Sequence, residues 1–393
     1  SIRRRQRQMC IRDRSYTVIH DAIHGPIEVS GRIKKIIDHP VFERCNYIMQ
    51  TGLAYRVFPS STHTRKIHQI GTYYITHKLL EHLKTYAYIP EKTQELIEIG
   101  ALVHDLGHGP GSHVFDKCVI PNMIADDMID DTNPWTEHEN RSIDLLQYIS
   151  KDIQLNEHDV SFVSEVIEPT SRENRWEFSI VNNTIHGIDT DKLDYILRDS
   201  HMIGLKTRID LSSIILHSRI INDEICFDKE IQDVLREVIF ARYQIHRRLN
   251  DANVCKFDLT FSDMCCSNDL YREITEIMNT NDCKRFCNLT DGYILNRASR
   301  AKVQAFNNRD SYIPIETLVT KTLDEVDHVA VKYANKPEFK ILTNKMKICR
   351  NNNVLSGIRF YDRKTMKIFQ VSQSSIDSFP SQEYITHVYK KQI

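Results

Sequence analysis

The residues in this chain best suited to bond-breaking chemistry are His104 and Asp105, adjacent in the run from Ala101 to His113 (ALVHDLGHGPGSH). An imidazole beside a carboxylate supplies two ligand types that divalent metals accept. Two more imidazoles, His108 and His113, follow in the same loop. One doublet fills too few coordination positions, so a metal centre requires ligands from other elements. The stretch beginning at Asp191 offers them. On a helix, Asp191, Tyr195 and Arg198 fall within about 60° of one another. Lys192, Tyr195 and Asp199 form an overlapping polar stripe on a segment otherwise lined by Leu193, Ile196 and Leu197. Carboxylates beside a lysine, an arginine and a phenol are what anchoring a phosphate chain next to a metal requires. An ordinary solvated helix face produces the same stripe, and the residue types alone leave both readings open.

The elements that must position these groups are mostly helices. Leu96, Ile99, Leu102, Val103 and Leu106 recur at the spacing of a buried helical face. That helix carries His104-Asp105 at its end, where Gly107 stops it and Gly109-Pro110-Gly111 forbids another. Thr64 is placed to cap a helix running to about Leu83, with Ile67, Ile70, Tyr74 and Leu79 inward and His68 on its first turn. Asp189-Thr190 caps the helix from Asp191 to about Ser200. Further helices are expected from Gly31, over Val41 to Met49, from His138 to Ile149, over about 157–168, and from Lys229 to about Met264. Tyr16 to Ile27 alternates around His24-Gly25-Pro26 and predicts a short strand pair. Residues 117–137 read as an acidic loop carrying Asp126-Asp127 and Asp130-Asp131. Toward the C-terminus, Ile358 to Tyr361 and Lys367 to Gln370 predict a hairpin across Asp362-Arg363-Lys364-Thr365, and Ile385 to Tyr389 a further strand.

The fold class is therefore mainly α, a helical body with a small C-terminal α+β lobe. The expected divisions are a basic arm over 1–15, a core over 16–290, a helical or irregular connector over 291–340 and the lobe over 341–393. The arm crowds Arg3, Arg4, Arg5, Arg7, Arg12 and Arg14 against one acid, Asp13; it reads as disordered or non-native sequence and is assigned no function. Elsewhere Lys plus Arg (52) balances Asp plus Glu (53), which excludes a global field for nucleic acid. The ten cysteines are scattered with no C-x-x-C pair. With no secretory signal or long apolar run, that pattern predicts a soluble intracellular protein, nuclear or cytoplasmic, with no membrane partner.

His68, His104-Asp105 and Asp191, on three successive helices, make the H…HD…D pattern of HD phosphohydrolases. The chain resembles, more specifically, the deoxynucleoside triphosphate triphosphohydrolases of the eukaryotic SAM-and-HD-domain type. The matching stretches are Val18 to Gly25, Phe58 to Arg65, His104 to Asp116, Trp135 to Glu139, Gly187 to Tyr195 and His246-Arg247-Arg248. The resemblance spans about residues 16–291, and no SAM-like text precedes it. It implies an HD-domain helical body that hydrolyses dGTP and other dNTPs to deoxynucleoside and triphosphate. It further implies that His68, His104, Asp105 and Asp191 hold a divalent ion, iron, manganese or zinc, with magnesium on the nucleotide. His108, His113, Asp116 and His138 match the proton-handling and phosphate-facing group. Arg65, Lys192 and Tyr195 match a triphosphate clamp, and Gln50 and Asp199 match groups that hold the sugar 3′-hydroxyl. Expected partners are a dNTP substrate, a GTP or dNTP activator, other copies in a homodimer or homotetramer, and weakly bound single-stranded nucleic acid. The alternatives are an HD phosphohydrolase acting on another nucleotide, or a nucleotide-sensing or nucleic-acid-binding protein that keeps the pocket.

The departures from the family pattern are local. Glu137 is inserted between Thr136 and His138. Thr51 stands where a leucine follows the sugar-reading glutamine. Asn250, Ala252 and Asn253 replace a tyrosine and a His-Lys pair. At the activator positions the chain has His20-Asp21, Asp38, Glu43 and Asn46, where Glu replaces Gln and Asn replaces Arg. The last pair removes a phosphate clamp and adds a negative charge.

Overall fold

Helices Arg65–Leu83 and Glu91–Val103 lie between two hydrophobic cores and give each of them side chains. Ile70, Tyr73, Leu96, Ile99, Leu102 and Val103 enter the first, with Phe115, Trp135 and Phe261. Ile75, Leu79, Leu80, Ile97 and Ala101 enter the second, with Leu193, Ile196 and Phe360. The computed structural model describes residues 16–170, 175–348, 354–371 and 381–392, and the arm at 1–15 lies outside them. The fold is mainly α, 54% helical, as the periodicity predicts.

The strand pair at the start forms as expected, β1 (Thr17–Asp21) antiparallel to β2 (Gly25–Val29). Helix Arg65–Leu83 begins after Thr64, but the Thr64 side chain makes no cap bond; its hydroxyl donates to Asn46 Oδ1 at 3.4 Å. Ile67 and Tyr74 are only half-buried, because polar residues such as Gln69, Thr72 and Thr76 occupy much of this helix's enclosed surface. Asp189 does cap its helix, Thr190–Met202, accepting from Lys192 N at 2.8 Å. Two expectations are corrected by local structure. The acidic loop expected at 117–137 begins as a π-helical turn, Phe115–Val119, and a helix, Ile120–Ala125, with the paired aspartates only beyond. The single helix expected over Lys229 to Met264 is two, Gln232–Leu249 and Ala252–Cys265, because Asp251 caps the second by accepting from Asn253 N.

The C-terminal strands are distributed differently from the sequence reading. The hairpin β7 (Arg359–Tyr361) and β8 (Ile368–Phe369) joins the body, where β7 runs parallel to β4 (Glu224–Asp228), itself paired with β3 (Ser218–Ile221). Leu355, Ile358 and Phe360 are fully buried there, which anchors the hairpin to the second core. The region 291–340, read as helical or irregular, holds helices Asp291–Arg297, Arg300–Asn308 and Leu323–Tyr333 and also strand β5 (Tyr312–Thr320). β5 flanks β9 (Gln382–Lys391), with β6 (Phe339–Lys347) on the other side. Pro314 disguised β5 in the sequence; it is tolerated because β5 is an edge strand whose register shifts at Pro314. Among the described residues no helix is long and apolar enough to cross a membrane.

Candidate active site

His104 stands at the C-terminal end of Glu91–Val103, and Leu96, Ile99, Leu102, Val103 and Leu106 are all buried beneath it. The loop after it packs on helix His138–Ile149. A Cβ at Gly107 would overlap the His138 carbonyl, so only glycine allows the two histidine-bearing segments to meet. Ser142 fastens the contact, donating to His104 O at 2.6 Å and accepting from Gly107 N at 2.8 Å. On the other side, a Cβ at Gly71 would overlap the Asp194 carboxylate, and helix Arg65–Leu83 thereby approaches Thr190–Met202 closely.

These approaches bring the four expected ligands together. His68 Nε2 lies 3.0 Å from Asp191 Oδ1 and 3.6 Å from Asp105 Oδ2, and His104 Nε2 lies 3.5 Å from each of the same two oxygens. His68, His104 and Asp105 each offer a ligand atom within 4.8 Å of the others, a spacing that could hold a metal ion. His104 Nε2 is buried and has no hydrogen-bond partner, although two carboxylates face it. A nitrogen lone pair left open between carboxylates is a donor set that fits a divalent cation. His104 Nδ1 bonds to Ala101 O at 2.9 Å, which makes it the N–H and leaves Nε2 as the free lone pair.

Behind His68 lies a network that sequence reading missed. Asp194, fully buried, takes His68 Nδ1 at 2.8 Å, His24 Nε2 at 2.6 Å and two donors of Arg198 at 2.9 Å each. Arg198 also reaches Asp21 at 2.8 Å. The network fixes the His68 tautomer so that Nε2 faces the ligand cluster. Arg198 therefore points away from the cavity into this network. Burial alone would depress the His68 imidazole, but Asp191 and Asp194 outweigh it and raise it to about 10. Burial would likewise raise Asp105 and Asp191. Arg65 with His104 holds the first well below the usual carboxylate range, and His104 with His68 the second.

The other expected catalytic residues form an adjoining group. His108 and His138 stack with centroids 3.9 Å apart, and His113 meets His108 edge-on at 4.9 Å. His108 Nε2 lies 3.2 Å from Asp105 Oδ1, in a direction too poor for a hydrogen bond. His138 Nδ1 stands 3.2 Å from Asp116 Oδ2, and Arg141 pairs with the other oxygen of Asp116. Glu137, the inserted residue, is the N-cap position of the His138 helix and leaves His138 facing the group. The environments split these imidazoles. His138 is raised, since Asp116 and Glu139 overcome its burial. His108 is pushed well below its ordinary value by burial, Arg65 and His138. His113 opens into the cavity yet is enclosed by protein, and that enclosure, with His108 and Lys117, lowers it well below as well.

All these groups surround one cavity of about 440 Å³, lined by every expected site residue except His68 and Asp116, which lie behind its wall. Asp199 accepts from His63 at 2.7 Å, and His63 O accepts from Gln50 N at 2.9 Å, so His63 ties the two expected sugar residues together. Gln50 Oε1 is buried with no partner. The Thr51 hydroxyl is turned to Ser61, 2.8 Å away. Arg65 uses its donors on Asp105 at 2.5 Å, Ser112 at 2.9 Å and Gln50 O at 3.3 Å, which makes it an organiser of the wall. Lys192 pairs with Asp189 at 2.5 Å; despite burial, Asp189 and Asp191 raise it. Burial raises the Tyr195 phenol beside it.

Arg242 was not singled out from the sequence, yet it lines the cavity with Nε buried and unpartnered. Its signal was spacing: it lies four residues before His246 and so shares that residue's helix face. Arg247 and Arg248 in the same run turn elsewhere, to Glu383 and Ile203 O.

Residues 65–199 match the HD domain family. A deoxynucleoside triphosphate triphosphohydrolase SAMHD1 homolog of Dictyostelium discoideum is 31% identical over 328 residues, covering 79% of this chain and 62% of the relative. An HD domain-containing protein of Acanthamoeba polyphaga mimivirus is 34% identical over 292 residues, 69% of this chain and 62% of the relative. The human deoxynucleoside triphosphate triphosphohydrolase SAMHD1 is 33% identical over 304 residues, 69% of this chain and 47% of the relative. The chain thus spans about half to three-fifths of the length of these relatives. The HD match covers the helices that bring His68, His104, Asp105 and Asp191 together, so the chain carries an HD domain and is similar, over most of its length, to deoxynucleoside triphosphate triphosphohydrolases of the SAMHD1 type.

Proposed function

We propose that the chain hydrolyses deoxynucleoside triphosphates, dGTP among them, to a deoxynucleoside and triphosphate. The observation that carries this reading is the convergence of two imidazoles and two carboxylates, His68, His104, Asp105 and Asp191, on a cavity whose walls also carry Lys192 and Arg242. A volume of about 440 Å³ is in the range of small-molecule sites. The named activity of the Dictyostelium and human relatives supports the substrate class. His68, His104, Asp105 and Asp191 would hold the metal, and mixed imidazole and carboxylate donors suit iron, manganese or zinc, with magnesium accompanying the nucleotide phosphates. When bound, such an ion polarises a phosphoryl oxygen and lowers the pKa of water to about 7.

The remaining chemistry falls to side chains. Water adds to the α-phosphorus, the bond to the sugar 5′-oxygen breaks, and a proton must reach that oxygen. His138, raised by Asp116, keeps a proton available near neutrality. His108, stacked on it and neutral, orients it; His113 faces the phosphates from the cavity wall. Lys192 and Arg242 set positive charge against the triphosphate, with Tyr195 as a further donor. Asp199 accepts from the sugar 3′-hydroxyl, and Gln50 bonds to the same group. A homodimer or homotetramer is the expected assembly.

The test is incubation of the purified protein with each dNTP, with and without GTP, followed by chromatography of the products. Deoxynucleoside and triphosphate in equal amounts are expected. Release of inorganic phosphate would replace this reading with a phosphohydrolase of another nucleotide. Absence of turnover with retained single-strand binding would replace it with a nucleotide-sensing or nucleic-acid-binding role.

A further inference from the structure

Two charged residues face the cavity without belonging to any group described above. Lys117 projects from the π-helical turn Phe115–Val119, and Asp258 from helix Ala252–Cys265. The turn that carries Lys117 packs against the helix that carries Asp258, and the Lys117 charge is felt by His113, His246 and Asp258 alike. Around them the cavity is lined by Leu249, Asn250, Val254, Leu342 and Asn344, an apolar and amide surface unlike the cationic phosphate wall. Asn250 stands here where the related family has a tyrosine, and Leu342 and Asn344 come from β6. Among the described residues neither Lys117 nor Asp258 has a hydrogen-bond or ion-pair partner for its side chain. A half-buried carboxylate in such a wall is costly unless a ligand completes its bonding.

Resting on the dNTP reading, we propose that Asp258 and Lys117 read the nucleotide base and that together they select guanine. An ionised carboxylate has only acceptors, and guanine alone among the four bases presents two neighbouring donors, N1–H and the N2 amino group, on its pairing edge. The Lys117 ammonium has only donors and suits the O6 and N7 acceptors of guanine. Adenine and cytosine place a donor beside an acceptor, and thymine has a single donor between two acceptors. None of these satisfies a carboxylate twice.

The carboxyl of Asp258 titrates in a range where this matters. Burial pushes it up to about 7, and Lys117 offsets only part of that. The other groups around it are Cys118 on the Lys117 turn, Cys255 on its own helix and Tyr389 on β9, all raised by burial and so neutral near pH 7. Once protonated, Asp258 gains an O–H donor while keeping an acceptor, the pattern that adenine accepts. Selectivity for dGTP over dATP should therefore rise between about pH 6 and about pH 8. Using the ratio cancels titrations shared by both substrates, His113 and His246 included.

The experiment measures kcat/KM for dGTP and dATP with the full chain, Asp258→Asn and Lys117→Gln. The expected result is a wild-type preference for dGTP, a fall in the dGTP:dATP ratio of roughly tenfold in each variant, as for loss of one charge-assisted hydrogen bond, and loss of the pH dependence of the ratio in Asp258→Asn. Lys117 is exposed, so Lys117→Gln decides the matter if Asp258→Asn does not fold. Wild-type protein without dGTP preference, or a ratio changed by less than about threefold in every folded variant, would overturn the base-reading role while leaving dNTP hydrolysis intact. Turnover of none of the four dNTPs would overturn both.

Discussion

At the scale of single residues, the site divides its histidines by charge. His68 and His138 each face carboxylates and hold protons or cations readily, whereas His108 and His113 lie among cations and stay neutral. Asp116 governs His138: its negative charge favours the imidazolium and raises its pKa. An acid works only while protonated, so activity should fall on the alkaline side as pH rises through that raised value. Asp116→Asn keeps the shape, removes the charge and should move the alkaline limb of the rate profile to lower pH. A pH–rate profile of the variant superimposable on wild type would exclude His138 as the proton donor. His104, Asp105, His108 and Asp191 were legible in the sequence because each sits at or near a marked helix end. The His24–Asp194–Arg198–Asp21 network was not. Its partners lie as far as 177 residues apart, and no periodicity links a buried arginine to a strand near the start of the chain.

At the scale of elements, the helices that carry the candidate site are set by close approaches rather than by amphipathic stripes. Helix Arg65–Leu83 buries Arg65, His68, Gln69, Thr72 and Thr76 along with its apolar residues, so its pattern marked its ends better than its faces. Gly71 is where it meets the Asp194–Arg198 pair. Gly71→Ala inserts a methyl into that contact and should destabilise the fold by about 1–3 kcal/mol, the usual cost of overpacking. Urea denaturation reads this as a lower midpoint; an unchanged midpoint would mean the two helices are not held this tightly. The same limit on local reading explains the C-terminal strands. The hairpin at 359–369 was visible from its own alternation, but its partner is β4, more than a hundred residues earlier, and nothing local announces a parallel pairing.

At the scale of the whole molecule, Asp21, Glu43 and Asn46, which the family resemblance matches to an activator site, are engaged by bonds within the chain. Glu43 pairs with Lys66 and accepts from Asn46 at 3.3 Å, and Asp21 accepts from Arg198 at 2.8 Å and from the Ile23 and His24 amides at 2.8 and 2.9 Å. Lys66 neutralises the negative charge that Glu43 introduces, while the arginine clamp is still replaced by Asn46. Losing one charge-assisted bond weakens binding by roughly ten- to a hundredfold. The protein should therefore be active without GTP, or respond only at concentrations raised by that factor. Titration of dNTP hydrolysis with GTP, run beside mass photometry, checks this. Strict dependence on micromolar GTP coupled to tetramer formation would show that the activator site works despite these substitutions.

The central claim is that His68, His104, Asp105 and Asp191 form a metal centre on which turnover depends. The most direct measurement is metal content and dNTP hydrolysis on the same samples of wild-type protein and of the double variant His104→Ala, Asp105→Ala. The account predicts bound metal and triphosphate release in the first, and loss of both in a folded variant. Unchanged metal stoichiometry in that variant, or turnover that persists without metal, would contradict it.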